Sequence, residues 1–277
     1  MQVQACANQL KGMMRNIRLK IAYDGTNYKG WQAQNKSPRA LCPHKTIQHE
    51  IESAAGSIFA GNIRVIGSGR TDAGVHALGQ VANFRIDNPM PCTRIRRALN
   101  SILPKDIVIT NATDVKESFH SRFDALSKIY RYRISNCPYA PIFDRLYQYH
   151  IPYKLDCELM RAATRFLIGR QDFRSFQASD HGEKGKSDSV REITRLSVNR
   201  RGNVISINIE ANGFLYNMVR NIVGTLIEIG RGKIPPERIK DILKARDRRK
   251  AGPTAPARGL CLMRVKYPKA GIIQPAV

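Results

Sequence analysis

Ile17-Arg18-Leu19-Lys20-Ile21-Ala22-Tyr23 places apolar side chains at every second position with cations between the first three. That period marks a strand with one face on a core and the other toward solvent. Helical spacing follows from about Thr46 through Ile47, Ile51, Ala54, Ala55 and Ile58, then a short strand at Ile63 and Val65. A glycine-rich loop leads to a strand over Val81 to Ile86, a helix carrying Ile95, Leu99 and Ile102, and a strand near Ile107 to Thr110. The order βαββαβ is that of the split-βαβ, ferredoxin-like arrangement, which RNA-recognition modules also use.

The rest of the chain repeats the order. Strands are expected over Lys128 to Ser135, near Val190 to Asn199, over Val204 to Ala211 and over Leu260 to Tyr267, with helices over Leu155 to Ile168 and Phe214 to Ile229. A basic helix, Pro236 to about Lys250, is inserted before the last strand. The expected fold is α+β: two ferredoxin-like halves with mainly antiparallel sheets, joined around a central basic cleft. The halves are read as residues 16–126 and 127–268. They are flanked by a disordered N-terminal extension at 1–15 and a tail at 269–277. Two polar segments, Asn35 to Lys45 and Ala178 to Ser189, read either as mobile loops closing over a large ligand or as inert insertions.

Charge narrows the partners. Lys and Arg number 46 against 22 acidic residues in 277, a formal charge of +24, which points to a polyanion such as nucleic acid. No segment reaches the ~18 apolar residues of a membrane-spanning helix, and Met1 to Arg18 lacks a signal-peptide core, so cytoplasmic location is the expectation. The six cysteines (Cys6, Cys42, Cys92, Cys137, Cys157, Cys261) show no zinc spacing and read as reduced thiols, several of them buried. His181-Gly182-Glu183 matches the H-x-E of zinc deaminases but lacks the P-C-x-x-C partner.

The chemistry concentrates in Gly67-Ser68-Gly69-Arg70-Thr71-Asp72-Ala73-Gly74-Val75-His76-Ala77. A phosphate loop starting at Gly69 would need Lys and Ser or Thr after Gly74, where Val75 and His76 stand. A dinucleotide fingerprint starting at Gly67 would need Gly at 72. Both fail at the decisive residue, and the loop presents a carboxylate instead. Glycines at 67, 69 and 74 allow positive φ and close approach, and Arg70 is near enough in sequence to hold Asp72 ionised. A tight hairpin with a structural Arg–Asp pair is the competing reading.

With no metal, phosphate-loop, Ser-His or Cys-His signature, Asp72 is the best candidate for a nucleophile or general base. Arg220 sits in the mostly apolar run Phe214 to Val223, where a guanidinium needs an acidic partner. That partner is Asp72, unless Arg220 snorkels or pairs with a structural acid such as Glu210 or Glu228. In Lys128-Ile129-Tyr130-Arg131-Tyr132-Arg133, period two puts both tyrosines on one face. There Tyr130 reads either as a base-stacking ring or as core. The cations of the inserted helix (Arg238, Lys240, Lys244, Arg246, Arg248, Arg249, Lys250) read as a surface for a nucleic-acid backbone or a solvated face.

The loop Gly69-Arg70-Thr71-Asp72-Ala73-Gly74-Val75-His76-Ala77 resembles the active-site motif of the tRNA pseudouridine synthase A family. The likeness extends through Tyr23-Asp24-Gly25, Gly30-Trp31-Gln32, Phe119-His120-Ser121-Arg122-Phe123, Asp172-Phe173, Ser175-Phe176, Ala211-Asn212-Gly213-Phe214, Met218 to Gly224, Pro253 to Ala257 and Gly259-Leu260. Departures are the longer Ser37–His44 loop, Ser121 where the family usually has Ala, and an N-terminal extension that Met13 or Met14 would replace as the start. The resemblance implies isomerisation of uridine to pseudouridine in the anticodon stem-loop of tRNA, at positions 38, 39 and 40, by a homodimer without cofactor or metal. It implies Asp72 as catalytic aspartate, Arg220 as its paired arginine, Tyr130 as the ring on the target base, and Arg70 as the residue that prises out the base and holds phosphate.

Overall fold

The computed structural model describes residues 14–32, 45–178 and 188–268. The loops expected at Asn35 to Lys45 and Ala178 to Ser189 fall largely outside these residues. So do the tail at 269–277, nearly all of the extension at 1–15, His181 to Glu183, Cys6 and Cys42. The chain is α+β and divides into two compact units, Met1–Leu126 with Val265–Val277, and Ser127–Arg264.

In the first unit the order is β1 (Arg15–Tyr23), α1 (Ile47–Phe59), β2 (Ile66–Gly67), β3 (His76–Ile86), α2 (Cys92–Ile102) and β4 (Ile107–Val115). β1 lies between β3 and β4, antiparallel to both, and β2 adds to the other edge of β3. The alternation of β1 has its expected outcome: Ile17, Leu19 and Ile21 are fully buried. With Ile47, Ile51, Ala55, Ile95 and Leu99 of the two helices they belong to the core. Thr46 caps α1, its side chain accepting the His49 N–H at 3.4 Å. On the opposite face Asn16 donates to the Lys116, Glu117 and Phe119 carbonyls. Asn83 donates to Asn16 and accepts the Ser121 N–H, so the segment after β4 lies over that side of the sheet.

The short strand expected at Ile63 and Val65 lies instead at Ile66–Gly67. Val65 gives its N–H to the Glu52 carboxylate of α1 at 2.9 Å, which takes that donor out of any ladder.

The second unit holds β5 (Ser127–Ser135), β6 (Tyr149–His150), α3 (Cys157–Thr164), β7 (Gly169–Asp172), β8 (Val190–Arg201), β9 (Val204–Ala211), α4 (Met218–Gly230), α5 (Arg238–Ala245) and most of β10 (Leu260–Lys266). Its strands run in the order β10-β5-β9-β8-β7, with β6 pairing parallel to the end of β5. The β5–β9, β9–β8 and β8–β7 pairs are antiparallel. α4 is buried nearly all round, as its apolar sequence requires.

Three helices are shorter than expected, each for a local reason. α3 begins after Asp156, whose carboxylate accepts the Glu158 and Leu159 N–H groups. It ends before tight turns that lead into β7. α4 starts at Met218 rather than Phe214 because Asn217 adopts a left-handed conformation, φ 56°. The basic helix stops at Arg246, φ 51°, and Asp247 then caps a separate 3-10 turn, Arg248–Lys250. The strands β6 and β7 carry no apolar alternation and had no expectation. Among the described cysteines only Cys157 is buried; the Cys92 and Cys137 thiols instead donate to Asp114 and to the Tyr139 carbonyl.

Candidate active site

In the first unit the loop between β2 and β3 is held from several sides. The Tyr23 hydroxyl meets Thr71 Oγ1 at 2.8 Å. The Thr71 carbonyl accepts the Trp31 N–H at 3.0 Å, the Tyr28 carbonyl accepts the Gly74 N–H at 3.3 Å, and Val75 N–H closes on the Asp72 carbonyl at 3.1 Å. Tyr28 is buried, and its hydroxyl donates to Asp106 at 2.5 Å. Burial, then this hydrogen bond, raises the phenol pKa far above its usual range. His76 Nδ1 lies 3.1 Å from the Gly25 N–H and 3.1 Å from Asp24 Oδ1.

Gly25 has a packing reason of its own: a Cβ there would stand 2.0 Å from the Val75 carbonyl oxygen. Of the three loop glycines, only Gly74 takes positive φ, 75°. The result is a clamped backbone that leaves Asp72 half-buried. Arg70 is exposed and makes no ion pair among the described residues. Both the structural Arg70–Asp72 pair and Arg70 as the group holding Asp72 ionised are therefore set aside.

In the second unit Arg220 lies in the first turn of α4 and Tyr130 on β5. The Arg220 guanidinium gives Nε to the Ala255 carbonyl at 2.8 Å and Nη1 to Asn217 Oδ1 at 2.7 Å. The Ala255 N–H returns to the Arg220 carbonyl at 3.1 Å. Glu210 accepts from Ser127, and Glu228 pairs with Arg231 and Lys233.

Behind Arg220, the fully buried Asn221 donates to the Phe176 carbonyl and accepts from Arg248 Nη2 (2.9 Å) and Thr254 Oγ1 (2.6 Å). The loop that carries Ala255 touches the helix so closely that a Cβ on Gly224 would sit 1.6 Å from the Pro253 carbonyl oxygen. Burial lowers the Arg248 pKa, and its hydrogen bonds to Asn221 and Thr254 compensate. Single-sequence reasoning passed over Asn221, Arg248 and Thr254 as site supports. Asn221 and Thr254 lay in motifs already quoted, and Arg248 only in the list of cations on the inserted helix.

Tyr130 and Tyr132 share a face, paired across to Ile209 and Ile207. Tyr132 is completely buried and donates to the Pro256 carbonyl at 2.8 Å. Tyr130 is 8 % exposed and stands edge-on to Phe214, ring centroids 5.1 Å apart. Tyr130 is therefore not an open platform on the sheet. The basic helix has fewer free cations than its sequence suggested. Arg238 pairs with Asp241, Arg246 with Asp172 and Arg249 with Asp247, while Lys240 stands over the Phe166 ring.

The sequence profile of a family described as tRNA pseudouridine synthase matches residues 20–124 and 163–268. The chain belongs to that family. As a tRNA pseudouridine synthase it is an isomerase. It is 45% identical over 254 residues to the tRNA pseudouridine synthase A 2 of Clostridium perfringens, covering 92% of this chain and all of that one. The tRNA pseudouridine synthase A of Acetivibrio thermocellus is 46% identical and that of Thermoanaerobacter sp. 44%, with the same coverage. A chain in a solved Cbf5-Nop10-Gar1 complex aligns with 89% of this chain and 48% of its own length at 11% identity, TM-score 0.36, a likeness too loose to carry an argument. Among the described residues of this synthase no helix is long and apolar enough to cross a membrane. Nor does any group of three His, Cys, Asp or Glu side chains stand ready for a metal ion.

Proposed function

We propose that this tRNA pseudouridine synthase acts on the anticodon stem-loop of tRNA, at positions 38, 39 and 40, with Asp72 as its catalytic carboxylate. Arg220 is its catalytic cation, Tyr130 the ring against the target base, and Arg70 a substrate-binding cation. The protein works in the cytoplasm as a homodimer of chains with two ferredoxin-like halves. The reaction breaks N1–C1′, turns the uracil and joins C5 to C1′; the hydrogen on C5 leaves as a proton and N1 takes one up. Nothing is oxidised or reduced, so the protein needs to extrude the base, enclose it and supply one well-placed carboxylate.

The observation that carries this reading is the clamping of the Asp72 loop. Buried Tyr23 and His76 and three main-chain hydrogen bonds, one of them to the Tyr28 carbonyl, fix the backbone around half-buried Asp72. A loop serving only as a turn does not call for support of that density. Tyr130, with little open face, fits a role in which the base meets the ring within an enclosed site.

The test is release of tritium from unmodified tRNA labelled at C5 of uridine, with wild-type protein and Asp72→Asn side by side. Wild type is expected to release tritium with Asp72→Asn silent although it still binds the tRNA. Mapping pseudouridine in the product checks positions 38 to 40. Turnover by Asp72→Asn comparable to wild type would sink the assignment.

A further inference from the structure

The first unit contains a cavity of about 330 Å³ that none of the proposed catalytic residues lines. Its walls include Arg18 of β1, Phe119, Phe123 and Asp124 from the segment after β4, and Tyr267 just past β10. Arg18 alternates with buried Ile17 and Leu19, so it projects from the sheet face opposite the helices.

Three features make this more than a crevice. First, Arg18 is half-buried yet makes no hydrogen bond or ion pair among the described residues. Its one electrostatic neighbour is the Tyr267 hydroxyl, which already donates to the Ser121 carbonyl at 2.6 Å. Burial lowers the pKa of the guanidinium, as expected of a partly desolvated cation without a counter-charge. The Arg18 guanidinium therefore reaches the cavity with its hydrogen-bond donors unmatched by any protein acceptor among the described residues, although the Asp124 carboxylate lines the same cavity. Second, Phe123 is 75 % exposed at the mouth, backed by the His120 ring (centroids 4.3 Å apart) and by the Arg122 guanidinium 5.8 Å from its centroid. An aromatic ring this exposed at a cavity mouth is a stacking surface. Third, Phe119 and Tyr267, ring centroids 5.2 Å apart, give an apolar wall, and a volume near 300 Å³ is where small-ligand sites begin.

A planar apolar surface, an unsatisfied guanidinium and one carboxylate together select a planar ligand that carries acceptors and an N–H edge. Asp124 accepts the His120 N–H at 2.9 Å and keeps its other oxygen for a further donor. We propose that this cavity is a second nucleotide site, which takes an unpaired base of the tRNA other than the target uridine. The base stacks on Phe123, and its oxygen or adjoining phosphate is held by Arg18. The proposal rests on tRNA being the substrate and is independent of which positions are modified and of the role of Asp72. A flipped target needs the rest of the RNA to be held still, and a second unstacked base gives a grip that plain backbone contacts lack.

The test uses the full chain with whole unmodified tRNA and with an isolated anticodon stem-loop, and it reads Kd by filter binding separately from turnover. Phe123→Ala is expected to weaken tRNA binding about tenfold and to raise KM while kcat holds. Arg18→Gln is expected to do the same and to lower the slope of log Kd against log salt by about one ion where it holds phosphate. Phe123→Tyr should bind like wild type. Phe123 is 75 % exposed, so its truncation takes little from the core, and equal urea midpoints verify that folding is intact. Unchanged Kd and KM in both Phe123→Ala and Arg18→Gln overturn the proposal, as does a fall in kcat at constant KM. If wild type failed to isomerise tRNA, the activity reading would fail, while the Kd comparison would still decide the second site.

Discussion

The two units hold their candidate residues by different physics. Around Asp72 the first unit uses main-chain hydrogen bonds and the edges of buried aromatic residues, Tyr23, Tyr28 and Trp31. Around Arg220 the second unit uses a buried polar network in which Asn221, Arg248 and Thr254 position a loop whose Ala255 carbonyl receives the guanidinium. A carboxylate offered on a loop needs the backbone that carries it fixed. A guanidinium with five donors must have some of them satisfied within the protein, or it takes up unwanted geometries. The first arrangement therefore loses function when the backbone shifts, and the second when any member of the network is removed.

The strongest way to break this comparison is to add one methyl group on each side. In Gly224→Ala the new Cβ meets the Pro253 carbonyl oxygen at 1.6 Å, against a helix that is buried nearly all round and cannot yield. The loop must lift and take the Ala255 carbonyl off Arg220. We expect destabilisation of about 3 kcal/mol or more and loss of turnover. Gly25→Ala meets the Val75 carbonyl at 2.0 Å, a smaller overlap than at Gly224 but against backbone that the hydrogen bonds of Gly74 and Val75 hold in place. The expected stability loss is about 1–2 kcal/mol, with turnover lost nearly as fully. Urea melts with parallel tritium-release assays check both, and equal stability losses would erase the distinction between the two supports.

Smaller, and more diagnostic, is the removal of single polar groups. Asn221→Ala removes the donor to the Phe176 carbonyl and the acceptor shared by Thr254 and Arg248, which keep only each other and the Ala251 carbonyl, an expected cost of about 2–3 kcal/mol. Tyr23→Phe removes one hydroxyl contact to Thr71, expected to cost about 1 kcal/mol. Should Tyr23→Phe prove the costlier of the two, the first unit would be the one held by side-chain polarity.

The same contrast explains what could be read in the sequence. β1, β9 and the burial of Ile17, Leu19 and Ile21 were legible because period two with β-branched residues has one physical solution when a single face is buried. The start of α4 was not, since Phe214 to Asn217 continue the apolar run and only the left-handed turn at Asn217 ends it. The second unit's β7 reads Gly-Arg-Gln-Asp, a strand held by its neighbour β8 and not by its own pattern. Asp72 stood out because an acid in a glycine loop excluded the phosphate-binding alternatives. Arg248 did not, because in the sequence it is one cation among seven in a basic stretch, and only the fold shows that it turns inward to Asn221.

pH sharpens the comparison with the smallest effects. Asp172 lies in the second unit; burial alone would raise its pKa. That push is overcome by the Ser189 hydroxyl, the Arg174 N–H and the guanidinia of Arg174 and Arg246, and the net shift is downward. A carboxylate depressed in the fold contributes stability above its unfolded pKa of about 3.9, and that contribution is lost as pH falls through the folded value. In the first unit Cys92 moves the other way, pushed up to about 12 by burial and by its hydrogen bond to Asp114. Its contribution is complete below the unfolded pKa of about 8.5 and is lost as pH climbs toward 12. Asp172→Asn should therefore flatten the acid limb of the urea midpoint below about pH 4 and leave the alkaline limb as it was. Cys92→Ala should flatten the alkaline limb above about pH 9 and leave the acid limb as it was. Hydrogen exchange assigns each limb to its unit: amides of β7 and β8 should lose protection first in acid, and those of β1 and β4 first in alkali. Acid opening that began in β1 and β4 would show that the first unit hides depressed carboxylates of its own, and the division between a backbone-held and a charge-held unit would fall.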